Sequence, residues 1–326
     1  MINSLIVVRD IHFASSLIVA GLVFFDVFIA RPVFGSNSQL KTSERSFRSM
    51  AEKILWIGLA VSVASALAWL SLLSMRIADK PWDEVVTDGT VWIVLSQTQF
   101  GVAWELRLML AAALAACLLW QRKTNQGRIA TDLRVSACLL LAAYLAALAF
   151  AGHGGEGLGG ERMIHLAADA LHLIAAGLWL GALVPFALLL IYLRRLEGEG
   201  WVSAAAAIGN RFSTLGILAV GILLASGTVN ASFLLNGMNS LIDTSYGRLL
   251  LLKIVLFAFM LGVAGINRQH LLPQLRDHAA QKGNSSTVHR LVRNSLVEIA
   301  LGLAIVLIVG TLGVMPPANE ITAHVH

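Results

Sequence analysis

The pattern His165-Leu-Ala-Ala-Asp169-Ala-Leu-His172 holds two imidazoles and a carboxylate at spacings of four and three residues. It runs directly into Leu173–Leu193, a stretch without a charged side chain. Steps of three and four return to one face of an α-helix, so these side chains form a stripe at the mouth of an apolar helix. Ionisable groups in that position are costly to desolvate and are functional candidates for that reason. Imidazole together with thioether suits a soft metal ion such as copper. The competing reading is a set of hydrogen-bonded interfacial histidines. Four residues advance a helix by about 6 Å and seven by about 10.5 Å, so His165 with Asp169, or Asp169 with His172, can share an ion. His165 and His172 on a straight helix are too far apart. A third ligand must come from elsewhere, and His12, His153 and Met163 are the candidates by membrane depth.

The composition says what scaffold holds these groups. Of 326 residues, 57% are hydrophobic and 13% charged, with a mean hydropathy of +0.76. Soluble domains carry about twice that share of charge. The chain therefore reads as an all-α integral membrane protein in a lipid bilayer, and its formal charge of +5 calls for no nucleic acid. Eight apolar runs, near 11–30, 54–75, 99–120, 135–151, 164–193, 213–235, 247–266 and 296–315, are each long enough to span. Gly21, Gly181, Pro185, Gly221 and Gly262 inside them are ordinary for membrane helices, with close packing as the expected purpose. Met1–Asp10 lacks the basic start and cleavage site of a signal peptide, so the first run is expected to be retained. Cys117 and Cys138 lie in apolar runs and form no disulfide framework.

Lys and Arg gather in alternate loops: Arg31–Lys53, Arg122–Arg134, Arg194–Arg211 and Arg268–Arg293. The loop after the second run is acidic, with Asp79, Asp83, Glu84 and Asp88. The positive-inside rule places the basic loops in the cytoplasm, which with eight spans puts both termini in the periplasm. His12, His153, His165 and His172 then fall at outer helix ends, as does the His324-Val-His326 tail, while His270, His278 and His289 belong to the last inner loop. Met75, Met163, Met238 and Met315 also fall near outer ends, as capture groups or as apolar filler.

Two parallel halves, 1–155 and 156–326, are expected from internal matches. Ile11-His12 with Gly21 repeats in Leu171-His172 with Gly181, and Thr98-Gln-Phe100-Gly101 with Arg107 repeats in Thr244-Ser-Tyr246-Gly247 with Lys253. Parallel four-helix repeats imply a pseudo-two-fold axis along the membrane normal, with His12 and His172 as partners that could face each other. Other polar groups read as structural or as steps of a pathway. Glu105, Arg107 and Lys253 near outer ends are expected to snorkel or pair. Asp26 sits near the inner end of the first helix, and Glu298 is expected to open the last helix and pair with Arg268 or Arg211. The Gly-rich stretch around His153 and Glu156 reads either as a lid or as a plain connector. No P-loop, dinucleotide fingerprint, His-Glu-x-x-His or Cys-x-x-Cys occurs, which points away from an enzyme or a nucleotide-driven pump.

Several motifs in order resemble the copper resistance protein D (CopD) family: Arg211-Phe-Ser with Ser226-Gly-Thr-Val-Asn230, Thr244-Ser-Tyr246 through Lys253, Asn267-Arg268 with Pro273, and Glu298. Asp169-Ala-Leu-His172 with Trp179 and Gly181, and Phe100-Gly101 with Trp104 and Arg107, fit as well. The likeness is densest over 165–317. It implies a bacterial inner-membrane protein of copper homeostasis that carries copper from periplasm to cytoplasm beside a separate periplasmic copper-binding protein. Asn230, Tyr246, Lys253 and Asn267 match the motifs without being marked as ligands. Two other readings stand beside it. One is a b-type cytochrome with haem held by two of His12, His153 and His172, although no histidine lies in the inner half of a span. The other is a scaffold that docks a copper chaperone without transport.

Overall fold

The apolar runs become helices longer than the runs themselves, because the backbone keeps its internal hydrogen bonds past the point where the side chains turn polar. A computed structural model describes residues 2–35, 41–124, 127–151, 159–194, 201–235, 237–279 and 285–318. Among them are eight helices long and apolar enough to span a bilayer: α1 (Ile2–Gly35), α2 (Glu44–Ala78), α3 (Gln99–Lys123), α4 (Arg128–Ala151), α5 (Gly159–Leu193), α6 (Trp201–Leu234), α7 (Ser245–Asp277) and α8 (Ser286–Leu312). No strand occurs among the described residues. His153, Glu156, His324 and His326 lie outside the described residues.

The most buried spans are α1 and α5, the two that carry His12 and His172. They cross at Gly21 and Gly181. A Cβ added to Gly21 would lie 1.9 Å from the Gly181 carbonyl carbon, and one added to Gly181 would lie 2.0 Å from the Leu17 oxygen. Only glycine permits this backbone approach, which puts the two central helices in van der Waals register. Gly221 and Gly262, expected to serve packing, have open space where a Cβ would go. Around the crossing, α2 packs on α1, α4 on α3, α6 on α5 and α8 on α7. The apolar core is shared across the chain: Phe25, Ile29 and Phe47 pack with residues of α5 through α8.

Three π turns widen the helices, at Asp26–Ala30 in α1, Gly177–Gly181 in α5 and Asn267–Leu271 in α7. Each precedes a proline, Pro32, Pro185 or Pro273. A proline cannot donate to the carbonyl four residues earlier and crowds it. Those carbonyls belong to Phe28, Gly181 and Gln269, all inside the π turns, so the wider turn absorbs the clash. In α7 this turn also re-aims Asn267 into the bundle.

α3 and α7 start alike. The Thr98 hydroxyl accepts from Gly101 N (3.0 Å) and donates to the Val94 carbonyl, and the Thr244 hydroxyl accepts from Gly247 N (2.9 Å) and donates to Ser240 O. Such side-chain caps satisfy amides that the first turn leaves unpaired. Before α3, two short helices, Trp82–Thr87 and Thr90–Gln97, carry the acidic loop. There Lys80 donates to Asp88 (2.7 Å), and this contact, with donors from Thr90, lowers the Asp88 carboxyl from 3.8 to about 2.

Candidate functional site

The stripe on α5 lines a cavity of about 210 Å³ at the end of the bundle where α5 begins, walled by α1 and α4 through α8. His165, Asp169 and His172 all reach it, joined by Asn230 of α6, Tyr246 and Lys253 of α7, and Arg9 of α1. The rest of the wall is apolar, from Phe13 and Leu17 to Val306 and Leu312. His165 is buried and stacks on Phe233 of α6, with ring centroids 4.9 Å apart. Asn230 donates to Asp169 Oδ1 at 3.3 Å.

His172 is held by Ser226. Its Nδ1 lies 3.0 Å from Ser226 Oγ, which gives its own proton to the Ile222 carbonyl at 2.6 Å. The hydroxyl therefore accepts from Nδ1–H, and the ring is the tautomer whose Nε2 carries the lone pair. An imidazole with one nitrogen donating to a fixed partner and the other unprotonated is in the form that binds metal.

His12 has the same kind of neighbours and a different outcome. Its Nδ1 donates to the Ser62 carbonyl (2.9 Å) and lies 3.1 Å from Ser65 Oγ. Nε2 then carries the lone pair, and it accepts from Arg107 Nη2 at 2.7 Å. A guanidinium has no acceptor, so the assignment is forced. Both nitrogens of His12 are thus engaged, and His12 is not part of the cavity wall. Rather than facing His172, it anchors a buried network. Ser16 Oγ and Tyr144 OH each meet Ser62 Oγ, at 2.9 and 2.7 Å, and Arg107 donates to the Tyr144 carbonyl at 2.7 Å with its guanidinium 4.0 Å from that ring. Of the two expectations for Arg107, to snorkel or to pair, the structure shows the second: it is buried, and this network gives its donors partners inside the bundle. Met163 is 67% exposed at the start of α5 and lies off the cavity wall.

Arg9 and Asp10 escaped the sequence reading. They stand one turn before His12 and outside the apolar run, yet α1 starts at Ile2 and buries both. They lie against Gly313 and Gly310 at the end of α8, where an added Cβ would come within 1.9 and 1.8 Å of their polar atoms. The Arg9 guanidinium also covers Trp69, 4.7 Å from the ring centroid. Ser62 and Ser65 escaped the sequence reading too, and Ser226 entered it only as part of a family motif, not as the partner of His172.

The opposite half of the bundle holds a second cavity, of about 220 Å³ and largely apolar, between α5, α6, α7 and α8. Glu298 lines it and is buried well inside α8, which begins at Ser286, so it does not open that helix as expected. Its hydrogen-bond partner is Asn267 (Nδ2 to Oε1, 2.7 Å), which Asn294 in turn holds at 2.8 Å. Arg268 is turned away to Ser213 Oγ at 2.7 Å. Asp26 pairs with Arg31 at 2.5 Å and lies 3.7 Å from Arg48 toward the C-terminal end of α1. Among the described residues no group of three His, Cys, Asp or Glu side chains is placed to hold a metal ion. The cavity beside His172 thus offers donors one and two turns apart on one helix rather than a closed cage.

Comparison with known proteins brings the two halves together. Residues 1–163 match the description "Copper resistance protein D-like, N-terminal domain", and residues 206–312 match "Copper resistance protein D". Over 97% of its length the chain is 29% identical to Copper resistance protein D of Pseudomonas syringae pv. tomato, of which it covers 97%. It is 29% identical over 96% of its length to Inner membrane protein YebZ of Escherichia coli (strain K12), covering 98% of it. Copper transport protein CutJ of Bacillus subtilis (strain 168) is 27% identical over 96% of this chain, which spans 52% of that longer protein. No solved structure matches.

Proposed function

The chain belongs to the copper resistance protein D family, and from that premise we propose that it is a multi-pass inner-membrane protein of copper homeostasis whose outer cavity takes up copper from the periplasm and passes it toward the cytoplasm. The observation that carries this reading is the state of His172. Its Nδ1 is committed to Ser226, which leaves the Nε2 lone pair for a ligand in the cavity that Asp169 and His165 also line. His172 with Asp169 forms the holding pair, His165 the next donor outward, and exposed Met163 a capture group at the rim. His153 belongs to the same outer end by its place in the chain. His12 serves as a positioning residue through its network with Arg107. A separate periplasmic copper-binding protein is the expected donor.

The same cavity carries Arg9 and Lys253. Fixed cations raise the energy of a bound ion in proportion to its charge. Cu⁺ is therefore the favoured cargo over Cu²⁺, in keeping with imidazole and thioether donors. Further in, Glu298 on the inner cavity is the next carboxylate on the route. The two parallel halves, 1–155 and 156–326, and periplasmic termini fit this reading. It is supported by the matched His–Ser pairs, the matched Thr caps and the alternation of basic loops.

Copper accumulation in cells expressing the wild type or His172→Ala tests the proposal. Uptake should fall at least tenfold in the variant at equal expression. Equal uptake would remove His172, and with it the outer cavity, from the mechanism.

A further inference from the structure

A third cavity, also of about 220 Å³, opens at the inner end of the first half and has no part in the route above. Four guanidiniums line it: Arg31 of α1, Arg48 of α2, Arg122 of α3 and Arg134 of α4. Arg31 is paired with Asp26, Arg48 with Glu44 (2.6 Å), and Arg122 with Glu52. Asp26 and Glu52 are themselves part of the wall. Arg134 has no ion pair within 4 Å among the described residues, so one positive charge is left over.

Two further donors at the cavity lack partners among the described residues. Arg48 Nε and Trp56 Nε1 are both buried and form no hydrogen bond there, although both residues line the wall. A buried donor without an acceptor is destabilising, and its presence points to an acceptor supplied from outside the chain. Apart from Gln121, whose amide donates to the Leu133 carbonyl, the remaining wall is apolar, with Leu22, Leu55 and Leu118 on the same space. From the surplus guanidinium, the two orphaned donors and this apolar wall, we infer that the cavity binds a phosphate-bearing anion. Arginine forks match phosphate oxygens, and basic pockets between helices on the cytoplasmic side hold anionic headgroups. The apolar wall gives an acyl chain a place beside the headgroup, while a free phosphate would use the donors alone.

The test uses the full chain, purified in detergent and stripped of lipid, with binding measured by native mass spectrometry and thermal shift. The probes are phosphatidylglycerol, phosphatidylcholine and inorganic phosphate, applied to wild type, Arg134→Gln, Trp56→Phe and the exposed-site control Arg276→Gln. Losing one charge-assisted hydrogen bond weakens binding about tenfold or more. A loss of that size for phosphatidylglycerol in Arg134→Gln and Trp56→Phe, with Arg276→Gln unchanged, supports a lipid headgroup. The same pattern for inorganic phosphate, with no preference for lipid, supports a free anion in the same site. Equal affinity in all four proteins, or an equal loss in Arg276→Gln, overturns the inference. Trp56→Phe removes one donor and keeps a ring beside Arg122, whose guanidinium lies 5.2 Å from it, so the test does not depend on Arg134→Gln folding.

Discussion

Arg107 Nη2 donates to His12 Nε2 across 2.7 Å, deep between α1 and α3. Lys253, matched to Arg107 by its place in the sequence motif, lines the same cavity as His172. Both histidines have serine neighbours on the following helix. The helix after that separates them: its guanidinium takes the lone pair of His12, whereas Lys253 forms no hydrogen bond to His172 among the described residues.

That difference predicts opposite phenotypes for the two histidines. His172→Ala should lose copper binding in purified protein with little loss of thermal stability. His12→Ala should keep its copper stoichiometry and melt lower, because each buried donor left without a partner costs about 1–3 kcal/mol. Copper stoichiometry and melting temperature, measured on the same samples, check both. Copper loss in His12→Ala at unchanged stability would reverse the assignment.

Lys253 gives a prediction of the opposite sign. Replacing it with Gln removes a fixed positive charge from the cavity, so Cu⁺ should bind more tightly, by roughly tenfold if about 1.4 kcal/mol of repulsion is relieved. Competition with a Cu⁺ chelator measures this. Weaker binding would mean that Lys253 acts by holding Asp169 in place.

Glu298→Gln should separate binding from passage. The amide oxygen can still accept from Asn267, so the fold is retained and outer-site copper binding is unchanged. Transport into vesicles should drop about tenfold if the carboxylate lies on the route, a barrier increase of about 1.4 kcal/mol.

The crossing of α1 and α5 predicts a sharp contrast among glycines. Gly21→Ala and Gly181→Ala force apart two backbones in contact, and overpacking of this kind costs about 1–3 kcal/mol or more. Gly221→Ala and Gly262→Ala meet open space and should be neutral. Size-exclusion profiles after a heat step read the difference directly.

The acidic loop between α2 and α3 should be insensitive to pH over a wide range. Asp88 is lowered to about 2, so its contact with Lys80 is fully present above the ordinary carboxylate value of 3.8 and is lost only as pH falls through about 2. The Lys80 ammonium is raised above 10.5 by Asp88, so its share is present below that value and is lost as pH rises past the raised one. Hydrogen exchange at the Thr90 amide should stay protected from pH 4 to 10 after correction for intrinsic rates, and Asp88→Asn should lower protection at neutral pH. A protection loss near pH 4 in wild type would contradict the ion pair.

Hydropathy and periodicity alone determined the eight spans and the stripe of His165, Asp169 and His172. Residue identities alone matched Thr98 through Gly101 with Thr244 through Gly247. Each of these is a local property: span length follows from bilayer thickness, a stripe from 3.6 residues per turn, and a cap from one threonine and the amide three residues on. Only the tertiary structure decided which imidazole keeps a free lone pair, because that depends on Arg107 and Ser226, residues from helices far along the chain. It also decided that Arg9 and Asp10 are buried and that Glu298 answers to Asn267 rather than to an arginine. Polarity along the sequence says that a group needs a partner; packing between helices supplies its identity.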